Sequence, residues 1–387
     1  MSPAAAADAV LDLAAIRASD APRVGPKMAR LGQLASAGWR VPDGYAVTAA
    51  ALEGWLPTAA LAELHRLFSA PTAGAAAAAA PAGPELAGHQ RLTQLSEQAR
   101  RLIEGQSLPS WLADAVADAH ARLAARTGRG ALLRVAVRSS AVGEDGRGAS
   151  FAGQYETYLG VSGADAVLRH IAKCWASGYS AHALDYRRRF GGSSPLRAHD
   201  LAVGVLELVD ARSAGVAFTL DPVTGDRGRL VVEANWGLGE SVVSGQVTPD
   251  YWTVERGTGR ILERRVGAKL VWSVLAGSGA ADDGEAGGRG TVLAPLPAEL
   301  TQAPCLSDDE VRYLCRRAAE IEEAEGAPQD VEWAIARDLE IPDSVYFLQH
   351  RPETTWTTTT PAPAAPSAKS FDPVQYALRN VFKVPGS

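Results

Sequence analysis

Residues 330–351 read DVEWAIARDLEIPDSVYFLQHR, and both the fold and the candidate chemistry of the chain turn on them. Val331, Trp333 and Ile335 alternate with Asp330, Glu332 and Ala334, while Val345, Phe347, Gln349 and Arg351 alternate with Tyr346, Leu348 and His350. This is the period-two pattern of two strands around a turn. With Ala336 opposite Val345, the hairpin register sets Glu332 across from Gln349 and Asp330 across from Arg351. A carboxylate and an amide oxygen are hard ligands that suit Mg²⁺ already carrying phosphates, and the adjacent arginine fork suits a phosphate oxygen. The alternative reading of the same residues is a solvated hairpin face. His350 falls on the other face and is read as structural.

Working outward, 387 residues with 47% hydrophobic content can bury the cores of two or three compact units. A net charge of −6 argues against a nucleic-acid partner held by general basicity, and no run of Lys or Arg suggests an anionic membrane surface. Phosphate contacts would then be local. Three cysteines, Cys174, Cys305 and Cys315, lack metal spacing and read as reduced core thiols of a cytoplasmic protein. The Ala-rich start is interrupted by Asp8, Asp12 and Arg17 and has no cationic leader, so it reads as a short amphipathic helix rather than a signal peptide or membrane span.

Gly25-Pro26-Lys27 is a turn opening a helix whose Lys can reach an anion, and Tyr45 to Thr48 is a strand. Residues 49–126 read as helical, interrupted by a low-complexity loop at 71–84. LLRVAVRSS (132–140) alternates as a buried strand, followed by the Gly-containing 141–161 and a helix to about 190. LAVGVLELV and AGVAFTL within 201–220 are two apolar strands of a meander that continues into RLVVEANWG. A Gly/Ala/Asp-rich insertion covers 276–290, and Ser307 with Glu310 forms a capping-box signature for a helix to about Glu325. A Pro/Thr/Ala linker (357–370) precedes a possible docking tail (371–387). No GxxxxGK[ST] occurs, which excludes a P-loop ATPase.

VRSSAVGEDGRGASFAGQYETYLGV (137–161), AGVAFTLDPVTGDRG (214–228), VEANWGLGESVVSGQVTPDYW (232–252), DVEWAIA and VYFLQHRPETTW (345–356) together resemble the nucleotide-binding domain of the phosphoenolpyruvate synthase and pyruvate phosphate dikinase family. The resemblance covers roughly residues 20–356 and extends to antibiotic-phosphorylating and phenol-phosphorylating relatives. It implies an α+β, ATP-grasp fold: an N-terminal lobe (1–200, with the helical insertion at 49–126) and a C-terminal lobe (201–356) clamping ATP. It also implies roles residue by residue. Arg138, in Val-Arg-Ser-Ser, looks like the arginine that binds the transferring phosphates, where a planar fork stabilises spread charge. Arg134 keeps a structural reading. Ser150, Gly153, Gln154 and Thr157 are candidates for the phosphate loop, with Glu144 and Asp145 as solvated acids. Lys27 matches the Lys of a Gly-Gly-Lys motif that contacts ATP phosphates, although Pro26 replaces the second Gly. Glu332 and Gln349 look like the Mg²⁺-holding pair, with Mn²⁺ as the other metal, and Arg351 like the phosphate-binding arginine beside it. Glu240, in Gly-Leu-Gly-Glu, resembles an acid directed to the nucleotide sugar; a helix N-terminal acid is the alternative. Leu206 and Glu207 stand where relatives often carry a Gln near the base.

Family enzymes pass a phosphoryl group from ATP to a histidine in a Thr-Ser-His context on a swivelling domain. None of His65, His89, His120, His170, His182, His199 or His350 has that context. The resemblance therefore implies a partner: a larger subunit carrying the phosphohistidine domain and the acceptor site, as in phenylphosphate synthase-type and hydroxyphenyl-ketone kinase-type systems. The expected reaction is ATP-dependent phosphorylation of a small molecule, a phenolic hydroxyl, through that partner, with AMP and phosphate released. The competing expectations are a nucleotide-sensing subunit without turnover and a stand-alone kinase that releases ADP.

Overall fold

The structure, a computed structural model, describes residues 8–69, 84–141, 156–190, 201–276, 290–337 and 339–356. The chain divides into two units, Met1–Gln33 with Asp43–Leu208, and Leu34–Pro42 with Val209–Ser387. A short early segment, Leu34–Pro42, belongs with the second unit.

In the first unit, β1 (Val10–Asp12), β2 (Gly44–Val47), β3 (Arg134–Ala141), β4 (Thr157–Ser162) and β5 (Leu201–Glu207) form an antiparallel sheet in the order β1-β2-β5-β3-β4. Its helices are α1 (Ala21–Ser36), α2 (Ala49–Trp55), α3 (Thr58–Ser69), α4 (Pro84–Glu104), α5 (Ser110–Arg126), α6 (Ala164–Ser177) and α7 (Ala181–Phe190). Alternation decides which sheet face is covered. Tyr45, Val47, Val135, Val137, Val203 and Val205 bury against Ile103 of α4, Leu112, Val116 and Leu123 of α5, and Ile171 and Trp175 of α6. The α5 positions recur at helical spacing, so one stripe is apolar, and each such side chain contributes roughly 1.5–3 kcal/mol on burial. Among the described residues of the expected N-terminal helix, Val10 instead pairs with Val47 as an edge strand, followed by short 3-10 turns at Leu13–Ala15 and Ala18–Asp20. Pairing with an available sheet edge outweighs the weak local preference of an Ala-rich stretch.

In the second unit, β6 (Ala211–Phe218), β7 (Arg229–Trp236), β8 (Asp250–Glu255), β9 (Ile261–Arg265), β12 (Gln329–Ala336) and β13 (Val345–Pro352) form an antiparallel sheet ordered β13-β12-β6-β7-β8-β9. A separate pair, β10 (Val271–Leu275) and β11 (Thr291–Pro295), and the helices α8 (Glu240–Val243), α9 (Ala298–Thr301) and α10 (Asp308–Glu325) complete it. The capping box forms as expected: Glu310 N–H donates to Ser307 Oγ (3.3 Å) and Ser307 N–H to Glu310 Oε2 (2.8 Å). Gly326, in the left-handed region at φ 70°, ends α10. Val311, Leu314, Cys315, Ala318 and Ile321 of α10 pack on Leu230, Val232, Ala234, Trp252, Val331, Trp333 and Ile335. The opposite face carries Glu233 and Glu332. Asp250, at the start of β8, is fully buried with Lys269 as its ion-pair partner and accepts the N–H groups of Gly267 and Cys305, both at 2.8 Å.

The expected meander corrects in one respect. LAVGVLELV and AGVAFTL do not pair with each other; β5 lies between β2 and β3, whereas β6 lies between β12 and β7. Residues 208–210 carry the chain from one unit to the other instead of closing a hairpin. The low-complexity loop, most of the insertion at 276–290, the linker and the docking tail lie outside the described residues.

Candidate functional site

The 330–351 hairpin forms, with one irregularity. Glu332 lies opposite Gln349 and Asp330 opposite Arg351, as the sequence predicts, yet Ile335 rather than Ala336 opposes Val345. The two registers are joined by a bulge between Glu332 and Trp333, so Leu348 has no residue opposite it. In an unbroken strand Val345, Phe347, Gln349 and Arg351 would share one face. The bulge instead leaves Val345 and Phe347 in the core with Trp333 and Ile335, and turns Gln349 and Arg351 to the face of Glu332 and Asp330. Phe347 N–H, next to the bulge, donates to the Arg40 carbonyl (2.9 Å). His350 goes the other way: it is buried, and its Nδ1 lies 3.0 Å from Gln329 Oε1.

Arg351 Nε donates to Asp330 Oδ2 at 3.1 Å, and Asp330 Oδ1 is buried with no hydrogen-bond partner among the described residues. Burial raises the Asp330 carboxyl above its ordinary value, and the Arg351 guanidinium beside it pulls it part of the way back. Glu332 is partly exposed, and neither a hydrogen bond nor an ion pair holds its carboxylate among the described residues. The donor set facing one side is therefore two carboxylates and an amide oxygen, hard ligands that fit Mg²⁺ or Mn²⁺. No group of three or more His, Cys, Asp or Glu suited to a metal occurs among the described residues, so an ion here would complete its shell with water and phosphate oxygens, the usual habit of Mg²⁺.

Sequence reasoning missed Glu233. It lies on β7, one strand beyond β6 from Glu332, and the registers Glu332↔Val216 and Val216↔Glu233 place all three side chains on one face. Burial pushes its carboxyl up to about 7, with Arg265 pulling the other way. The available signal was an acid inside the apolar run Leu230 to Ala234.

Glu240 begins α8, is exposed, and its Oε2 accepts from Ser273 Oγ (3.1 Å) and Thr291 Oγ1 (3.4 Å). The structure thus ties Glu240 to the β10–β11 pair.

In the first unit, Lys27 and Arg138 come from segments packed on each other. α1 is broken at Gly25 (φ 74°, ψ 161°), and Pro26 starts the helix anew with Lys27 in its first turn. Proline suits that position because its fixed φ is helical and its missing N–H needs no partner. The conformational freedom the turn requires resides in Gly25, where a Cβ would meet Ser140 O and Oγ at 2.3 Å. Met28 N–H reaches Ser140 Oγ (3.4 Å), and its sulfur would meet a Cβ on Gly204, the residue opposite Arg138. The Lys27 turn therefore covers the sheet face on which Arg138 lies. Thr157 is directly opposite Arg138 on β4 and is exposed. Leu206, opposite Ala136, presents an apolar side chain on the same face, and Glu207 pairs with Arg129 at 3.4 Å. Ser150, Gly153 and Gln154 lie outside the described residues.

The hairpin that gathers a carboxylate, an amide and an arginine on one face has the donor set of a nucleotide-binding, phosphotransfer protein. Residues 21–370 match the family described as "Pyruvate phosphate dikinase, AMP/ATP-binding domain", and the chain belongs to that family. It is 36% identical over 369 residues to a probable phosphoenolpyruvate synthase of Pyrococcus horikoshii (89% of this chain, 43% of that protein). Similarity to the phosphoenolpyruvate synthase of Pyrococcus furiosus is 35% over 361 residues (87% and 42%). To the rifampicin phosphotransferase of Streptomyces sviceus it is 37% over 354 residues (89% and 36%). The chain thus spans less than half the length of these relatives. No helix among the described residues is long and apolar enough to cross a membrane.

Proposed function

We propose that this chain is the ATP-binding part of a dikinase-type phosphotransferase: it holds Mg-ATP and passes the β-phosphoryl group to a histidine on a partner polypeptide. That partner then phosphorylates a small-molecule acceptor, a phenolic hydroxyl, with AMP and phosphate released. In this reading the fold is ATP-grasp and the protein works in the cytoplasm. The observation that carries it is the bulged hairpin, which turns Glu332, Gln349 and Arg351 to one face, the pattern that phosphate and metal recognition needs.

The division of labour follows from the side chains. Lys27, as a compact cation in the first turn of a helix, suits a terminal phosphate. Arg138 and Arg351, permanently charged forks, stabilise charge spread over phosphoryl oxygens. Asp330 orients Arg351 through its Nε. Glu332 and Gln349 would hold Mg²⁺, which when bound neutralises phosphate charge. Thr157, and with it Ser150, Gly153 and Gln154, would contact phosphates, and Glu240 remains a candidate for the sugar. In this proposal the histidine that accepts the phosphoryl group stands on the partner.

Glu332→Ala and Arg351→Ala should each abolish ATP consumption by the complex of this chain with the phosphohistidine polypeptide, while co-purification of the two chains persists. Unchanged turnover in either variant would overturn the assignment.

A further inference from the structure

Gln349, Glu332, Val216, Glu233, Tyr251 and Arg265 form one continuous cross-strand row, each directly opposite the next. Their side chains leave the sheet on one face. Two carboxylates in the row, Glu332 and Glu233, have neither a hydrogen bond nor an ion pair among the described residues. Val216 separates them by two interstrand spacings, about 9.6 Å between Cα atoms. The cation of the row is engaged elsewhere: the Arg265 guanidinium lies 4.2 Å over the Tyr251 ring and its Nε is 2.9 Å from Glu263.

A half-buried acid on a central strand with no hydrogen bond among the described residues costs stability, and a ligand hydroxyl can supply that bond. The Gln349–Glu332 end of the row has the chemistry for metal and phosphate. A nucleoside triphosphate laid along the row from that end would bring its sugar over Val216 and Glu233, since a sugar follows its phosphates by a comparable span. Vicinal 2′ and 3′ hydroxyls are paired donors that one carboxylate can accept together. Glu240 is less free for this role because Ser273 and Thr291 already donate to it.

We infer that the nucleotide lies across the strands along this row, triphosphate at the Glu332–Gln349 end, and that Glu233 accepts the ribose hydroxyls. The inference rests on the ATP reading above. Its test is calorimetric binding of ATP and of 2′,3′-dideoxy-ATP, each with Mg²⁺, to the full chain and to Glu233→Gln, Glu233→Ala and Glu240→Ala. The natural chain should prefer ATP by about ten-fold or more, the scale of hydrogen bonds to a charged group. In Glu233→Ala the preference should vanish, ATP falling to the dideoxy level while dideoxy-ATP binds as before, which also shows that the site is folded. Glu233→Gln should keep part of the preference. A preference that survives in Glu233→Ala, an equal loss for both nucleotides, or a preference abolished by Glu240→Ala would overturn the inference and leave the ATP reading standing. Failure of the natural chain to bind either nucleotide would overturn both.

Discussion

Glu233→Gln should stabilise the nucleotide-free protein at alkaline pH and do almost nothing at acid pH. Burial moves the Glu233 carboxyl from 4.5 to about 7 on folding. An acid whose folded value lies above its unfolded value binds its proton more tightly when folded. Stability is therefore full below the unfolded value, declines as pH rises between 4.5 and about 7, and stays reduced above it. The span of about 2.5 units at 1.36 kcal/mol each is about 3.4 kcal/mol, an upper bound because the side chain keeps some water that screens its charge. Glutamine has the same shape and no charge to desolvate, so it recovers most of that at about pH 8.5 and little at about pH 4.5. Urea denaturation of both proteins across this range, with the unfolding slope checked for constancy, measures the difference. A stability difference that is the same at both ends, or a glutamine variant less stable than the parent at alkaline pH, would refute the reasoning. A carboxyl held at that cost on a central strand is the kind of residue retained for function rather than for folding.

Gly25→Ala should destabilise by about 3 kcal/mol or more, since it adds a contact with Ser140 to an unfavourable backbone conformation. Gly163→Ala is the control: Gly163 has nearly the same backbone (φ 81°, ψ 147°) with nothing within 4 Å of a Cβ, so denaturation should show a smaller loss, about 1–3 kcal/mol, and equal losses would contradict the packing argument. Deletion of Leu348 removes the extra residue and leaves an unbroken ladder in which Phe347 still opposes Trp333 and Gln349 still opposes Glu332, so the deletion variant, like Leu348→Gly, should bind ATP nearly as the parent does. Calorimetric titration of the two variants checks this, and loss of affinity in the deletion with binding kept in Leu348→Gly would contradict the assigned register.

Elements with strong local signals were legible in the sequence: the capped helix from Ser307, the alternating strand before Ser140, and the facing pairs Glu332–Gln349 and Asp330–Arg351. The last pair set was reached through a register that holds only at one end of the hairpin, because a bulge leaves no mark in an alternating sequence: Phe347-Leu348-Gln349 reads the same with or without it. β5 and β6 misled for a related reason. Two apolar strands a few residues apart ordinarily pair, and only the competing partners, Val203 with Val47 on one side and Val216 with Glu332 on the other, send them to different sheets. The Lys27 turn was legible as a helix start, but why Pro26 is acceptable emerged only with Gly25 against Ser140. Glu233 was hidden because its row is defined by five strand pairings spread over the sequence from Val216 to Gln349.

The most direct measurement of the central claim uses ATP labelled at the β-phosphorus, incubated with this chain alone and with a polypeptide carrying a Thr-Ser-His domain, followed by separation of AMP, ADP and protein-bound label. The account predicts AMP and an acid-labile label on the partner's histidine only when both chains are present; ADP formed by this chain alone with an acceptor, and no label on the partner, would contradict it.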